Sequence, residues 1–284
     1  MTDDRKRTDR TIELTIDIDA TLEEVWQALT TGEGIARWFA PYAAVTPGEG
    51  GSVSVGWDPK EMWEQPITAW EPQRRMQTAS EMPSKDGRMV RLAVDYYVEV
   101  HGGRVRVRLV HSGFDDDSWD DYIDGLDAGW SFFLFNLKHA LERHRGVDRR
   151  QLFARFRTVF PTDVFPTDVF PTDIARGGED HPVFGVKGLR VQPPVSGLRP
   201  GDACRLSLGG VEVDATVAVR RAPRTIAFVV PAWNDALLFV EREGLKETHQ
   251  LGIWLSLYGV SETTAAPLQQ GLADVEAAVS VPKG

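Results

Sequence analysis

The stretch from Ser118 to Arg145, SWDDYIDGLDAGWSFFLFNLKHALERHR, limits what this chain can fold into more than any other. Apolar residues recur at Trp119, Ile123, Leu126, Trp130, Phe133, Leu137 and Leu141, and steps of three and four stack them on one helical face. Acids crowd the start (Asp115, Asp116, Asp117, Asp120, Asp121), while Lys138, Arg143 and Arg145 sit at the end, a polarity that suits the helix dipole. At about 1.5 Å per residue the helix is about 40 Å long, enough to cross a small sheet. Gly125 and Gly129 each cost about 1 kcal/mol against Ala in a helix interior. Four residues apart, they make a shallow strip whose simplest use is packing against a sheet.

The residues before this helix supply the sheet. Residues 11–19, TIELTIDID, alternate apolar and polar side chains and read as a half-buried strand. Thr21 and Glu24 form a capping box. The helix that it opens carries Val25, Trp26, Ala28 and Leu29 and breaks near Gly32 and Gly34; a second short helix, Ile35 to Phe39, stops before Pro41. Residues 50–57, 65–71, 74–82, 88–100 and 103–111 are β-rich and closely spaced between Gly, Pro and Asp, which predicts an antiparallel meander. One strand, two helices, five strands and a long helix give an α+β fold, in which the long helix covers the apolar face of the sheet.

Several short motifs carry a family resemblance: TLEEVWQAL (21–29), RWFAP (37–41), GGSVSVG (50–56), WEPQRRM (70–76), VHSGF (110–114) and GLDAGW (125–130). Their order and spacing resemble the START-like, Bet v 1-like superfamily (SRPBCC), and within it the branch related to the activator of the Hsp90 ATPase, AHSA1-like. The resemblance covers residues 10–146. It implies a helix-grip fold, an antiparallel sheet wrapped on the long C-terminal helix with a ligand cavity between them. VHSGF also resembles the enediyne-resistance proteins of the same fold.

The second half reads as a worn copy of the first. GDACRLSLG (201–209) echoes GEGGSVSVG (48–56), VRRAPRTI (219–226) echoes TAWEPQRRM, and GIWLSLYG (252–259) echoes RVRVRLVHSG. Its opening strand is expected at Leu152 to Phe160 and a terminal helix at Ala265 to Val279. Between them lies a threefold VFPTD repeat at 159–173, whose regular prolines forbid a helix and spoil a central strand. Three copies are too few for a solenoid, so we read an extended segment lengthened by duplication. The expected organisation is a flexible tail (1–10), a helix-grip domain (11–147), a linker and opening segment with the repeat (148–180), and a degenerate, β-rich lobe of the same kind with a structural role (181–284).

Composition narrows the function. A net charge of -10 argues against nucleic acid, and Arg104, Arg106 and Arg108 alternate with apolar residues as the wet face of a strand does. A single cysteine, Cys204, cannot form an internal disulfide, and the charged N-terminus is not a signal peptide. No apolar run is long enough to span a membrane, and a cytoplasmic protein is expected. The six histidines show no metal-ligand spacing, and no HExxH, GxSxG, P-loop or dinucleotide fingerprint occurs, so neither metal nor cofactor is expected. The nine tryptophans say more. With the resemblance, they point to an apolar cavity lined by Trp38, Phe39, Trp57, Trp63, Trp70, Tyr97, Leu126, Trp130, Phe133 and Leu137. Glu61, Asp95, His111 and Asn136 are its candidate polar anchors. The first reading is binding of a small hydrophobic, aromatic or lipid-like ligand. The alternatives are an enzyme of the same shape, cyclase- or hydrolase-like, using His111, Asp95 and Glu61, and the protein-partner role that the AHSA1 resemblance implies. Homodimerisation stays open.

Overall fold

Strict alternation along the strands decides which side of the first sheet becomes core. The computed structural model describes residues 10–84, 87–114, 119–157, 189–221, 225–243 and 250–279. It divides into two units, residues 1–146 and 147–284. In the first unit the order is β1 (Ile12–Ile18), α1 (Leu22–Thr30), α2 (Gly32–Ala36), β2 (Tyr42–Thr46), β3 (Ser52–Asp58), β4 (Glu61–Glu71), β5 (Arg75–Pro83), β6 (Met89–His101), β7 (Arg104–Ser112) and α3 (Asp120–Arg143). The seven strands form one antiparallel sheet in the order β1-β7-β6-β5-β4-β3-β2. Val105, Val107 and Leu109 of β7 and Val94, Tyr96 and Val98 of β6 are buried on the side facing α3. The residues between them point outward into a lattice of ion pairs. Arg106 grips Asp17 through two bonds of 2.7 and 2.9 Å, Arg75 holds Asp95, and Gln77 joins Asp95 to Thr68.

The expected α+β helix-grip architecture is what forms, with α3 lying within the predicted Ser118–Arg145 span. Its C-terminal end is tied to the end of β1 by polar contacts. Lys138 donates to the Asp17 carbonyl at 2.6 Å, Glu142 accepts from the Asp19 amide at 2.7 Å, and Arg145 reaches the Asp19 carbonyl. The Thr21–Glu24 capping box is present in both directions. Two local expectations need correction. The second helix starts at Gly32, ahead of Ile35, because the Thr31 hydroxyl caps it by accepting from the Gly34 amide. A sixth strand of the meander, β2, went unpredicted: it is a five-residue edge strand directly after Pro41, too short and weakly patterned to be read.

The second unit runs β8 (Arg149–Arg157), β9 (Leu189–Gln192), β10 (Ala203–Leu208), β11 (Val211–Arg221), β12 (Thr225–Val230), β13 (Ala236–Glu243), β14 (Gln250–Tyr258) and α4 (Glu262–Val279). Its sheet order, β8-β14-β13-β12-β11-β10-β9, repeats the first strand for strand. The echoed segments fall on matching strands: β10 with β3, β11–β12 with β4–β5, and β14 with β7. The VFPTD repeat and residues 177–188 lie outside the described residues. The opening strand begins at Arg149, three residues before the predicted start. The terminal helix begins at Glu262 because the Ser261 hydroxyl accepts from the Thr264 amide at 3.3 Å.

The interior of this unit is mostly aliphatic, with Phe228 and Trp233 among its few rings. Leu206, Leu208, Val217, Phe228, Leu238, Leu255 and Leu257 meet Leu268, Leu272 and Val275 of α4. The helix comes close enough for backbone contact at one point, where Gly271 rests on the β10–β11 turn. A Cβ added at Gly271 would lie 2.4 Å from the Gly209 nitrogen. Helix propensity alone favours Gly271→Ala by about 1 kcal/mol. The clash with backbone reverses the sign, and a loss of about 1–3 kcal/mol is expected. Calorimetry on the full chain checks this: an unchanged or raised unfolding temperature would refute the contact.

Candidate functional site

The site is built from a chain of backbone contacts that ends in a cluster of rings. Trp38, just past α2, is 2% exposed, and its indole N–H donates to the Ala28 carbonyl at 2.9 Å. Its own carbonyl accepts from Asn136 Nδ2, on α3, at 2.5 Å. These two bonds fix the segment between α2 and β2 between α1 and the long helix and set Phe39 over the latter. Phe39 stacks on Trp130, with centroids 5.4 Å apart at 20°, and meets Phe133 edge-on at 4.6 Å and Trp57 of β3 at 5.5 Å. Tyr96 of β6 stands edge-on to Trp130 at 6.2 Å and to Trp38 at 6.5 Å. Trp38, Tyr96 and Trp130 are buried, whereas Phe39, Trp57 and Phe133 in the same cluster are only half-buried. Leu137 is fully buried and Leu126 half-buried on the same helix.

One polar pair crosses this apolar space. The Trp130 indole N–H donates to His111 Nδ1 at 3.1 Å. An indole can only donate, so Nδ1 must accept and the neutral ring carries its proton on Nε2. Burial lowers the His111 pKa from 6.5 to about 4, which keeps the imidazole neutral. Burial likewise raises the Tyr96 pKa, so its hydroxyl stays protonated.

Other candidates go elsewhere. Trp63 is 48% exposed, and among the described residues no ring contact joins it to the cluster. Trp70 packs edge-on against Trp26 of α1 at 5.2 Å, and no ring contact joins it to Trp130 among the described residues. Tyr97 and Asp95 are on the outer face of the sheet. Tyr97 lies beneath Arg108 at 4.1 Å and Arg75 at 5.4 Å, and Asp95 is bound by Arg75 and Gln77. Glu61 is exposed at the β3–β4 hairpin. Asn136 is buried as expected, but its amide holds the Trp38 carbonyl. The expected grouping of His111, Asp95 and Glu61 for proton transfer is therefore not assembled, because His111 is inside the sheet, Asp95 outside it and Glu61 at its rim. The period-two rule exchanges Tyr97 for Tyr96, which the sequence reading missed although Val94, Tyr96 and Val98 alternate with polar neighbours. Phe114 and Trp119 were also missed; Phe114 lies 4.9 Å from His111 and 5.8 Å from Trp119.

The second unit replaces both polar positions. On the aligned ladders Leu257 stands where β7 has His111, and Leu238 stands where β6 has Tyr96; both are fully buried. Among the described residues, no group of three or more potential ligands could hold a metal ion, and no helix is long and apolar enough to cross a membrane.

Residues 19–142 match the family described as Activator of Hsp90 ATPase homolog 1-like protein. Among solved structures, the chain is similar to a protein from Mesorhizobium loti, at 22% identity over 47% of this chain and 97% of that one, with a TM-score of 0.42. It is similar to the Aha1 dimer from Colwellia psychrerythraea, at 24% identity over 48% and 98%, with a TM-score of 0.41. It is also similar to DynU16, a putative protein in the dynemicin biosynthetic locus, at 14% identity over 95% and 97%, with a TM-score of 0.40. No curated protein matches the chain.

The His111 environment makes stability pH-dependent in a defined sense. Between about pH 6.5 and pH 4 the unfolded chain binds a proton at His111 that the folded chain refuses. Stability is therefore lost as pH falls through that window, by up to about 3 kcal/mol from this group. Imidazole ¹⁵N shifts should show His111 neutral at pH 5.5 with the proton on Nε2, and His111→Phe should flatten the stability slope. A folded-state titration near 6.5 would contradict this environment.

Proposed function

We propose that this protein, whose N-terminal half carries an AHSA1-like domain, binds a small hydrophobic ligand with an aromatic body between the first sheet and α3. The observation that carries the reading is the half-burial of Phe39, Trp57 and Phe133 within a cluster whose other rings are buried. Rings that only filled a core would close over one another, as the aliphatic residues of the second unit do. Apolar walls with very few polar groups are the usual composition of a small-molecule site. The wall residues are Trp38, Phe39, Trp57, Trp130, Phe133 and Leu137, with Leu126 at the margin. Asn136 keeps Phe39 in place and does not face the ligand. The second unit, with leucines at both polar positions, serves as a structural partner on the same chain.

Native mass spectrometry of the purified protein, followed by gentle denaturation, should release a discrete small molecule. In thermal melts with that molecule, Trp130→Ala should lose the ligand-linked rise in melting temperature, while Trp63→Ala should keep it. Equal responses in Trp130→Ala and the parent would overturn the assignment of this wall.

A further inference from the structure

Two buried groups on the inner face remain after the fold has used what it needs. Tyr96 and His111 are each 7% exposed, so both are more than nine-tenths buried. They lie on neighbouring strands: Tyr96 pairs with Leu109 and His111 with Val94. That register makes them diagonal neighbours on one face, with Cα atoms about 7–8 Å apart. Both flank the Trp130 ring, at 6.2 and 6.3 Å between centroids. Trp130 occupies His111 Nδ1 and leaves the Nε2 proton. Among the described residues, no group accepts from that Nε2–H or from the Tyr96 hydroxyl. Two unpartnered donors side by side on one face leave room for an acceptor that a ligand brings.

We infer that His111 Nε2–H and the Tyr96 hydroxyl form a two-donor element that recognises an acceptor oxygen, such as a ketone or quinone carbonyl, on a planar aromatic ligand. This rests on the proposed binding site and specifies its ligand class. Neither donor is charged, and apolar walls penalise an unpaired charge, so the element suits a neutral acceptor. Trp130 has two roles: its face contacts the ligand body, and its N–H fixes the His111 tautomer so that a proton is presented. The leucines at the corresponding positions of the second unit remove both donors, and an acceptor-bearing ligand should not be held there.

The test uses a matched pair of probes, 9-fluorenone and fluorene, which share a flat tricyclic body and differ in a carbonyl against a methylene. Quenching of tryptophan fluorescence in the full chain gives both affinities. The parent should bind fluorenone about five- to tenfold more tightly, the worth of roughly one net hydrogen bond. Tyr96→Phe should reduce that preference, and Tyr96→Phe combined with His111→Phe should abolish it. Circular dichroism confirms that each variant is folded. If the double variant fails to fold, the Tyr96→Phe ratio alone decides the matter. Equal binding of the two probes by the parent, or a preference that survives Tyr96→Phe unchanged, overturns the two-donor element while leaving the apolar site in place. Binding of neither probe overturns the site and this inference together.

Discussion

An antiparallel sheet with one apolar face must have that face covered along its length, and in the first unit α3 is the long element that meets it. Everything else there follows from how this contact is held. The polar clasp of Lys138, Glu142 and Arg145 on the end of β1 fixes one end of the helix. The Asn136–Trp38 bond fixes its middle against the segment after α2. The Trp130–His111 bond ties it to β7. The first two join residues about a hundred positions apart, so they form only once the two ends of the domain have met, whereas His111 and Trp130 are 19 apart on consecutive elements. An aliphatic side chain could fill the place of any of them, but it could not set the orientation of a ring.

Much of this was legible beforehand. Periodicity alone gave α3 and the strands of the first meander except β2, because each carries a run of alternating or stacked apolar residues. Echoes of a few residues pointed to two lobes of one kind, and the two sheets share one strand order. What could not be read was which of two adjacent aromatic residues faces inward. Tyr96 and Tyr97 are equally suited to a cavity by type, and only the register of β6 between β5 and β7 separates them. The charged anchors failed for a related reason. Asp95 is buried, as a ligand anchor would be, but under an arginine and a glutamine on the far side of the sheet. Burial and position inside a cavity are separate properties, and sequence reports neither directly.

The two units show how one topology supports two kinds of interior. Both close the same seven-stranded ladder with a helix. In the second, leucines and valines interdigitate and a glycine contact brings helix and turn together. In the first, large rings meet both stacked and edge to face, and Phe39, Trp57 and Phe133 stay half-buried among them. At matching register positions, leucines in one interior stand where the other has His111 and Tyr96.

The outer face of the first sheet has a consequence for how the molecule looks from a distance. Arg106 and Arg108 on β7 sit between the acids of β1 on one side and Glu99 and Tyr97 of β6 on the other. Neighbouring strands are about 4.8 Å apart, less than the Debye length of about 8 Å at physiological ionic strength. Opposite columns of charge therefore cancel before their field reaches an approaching molecule. A basic run that is conspicuous in the sequence is nearly silent in three dimensions, and the chain's net charge of -10 must be felt from its other surfaces.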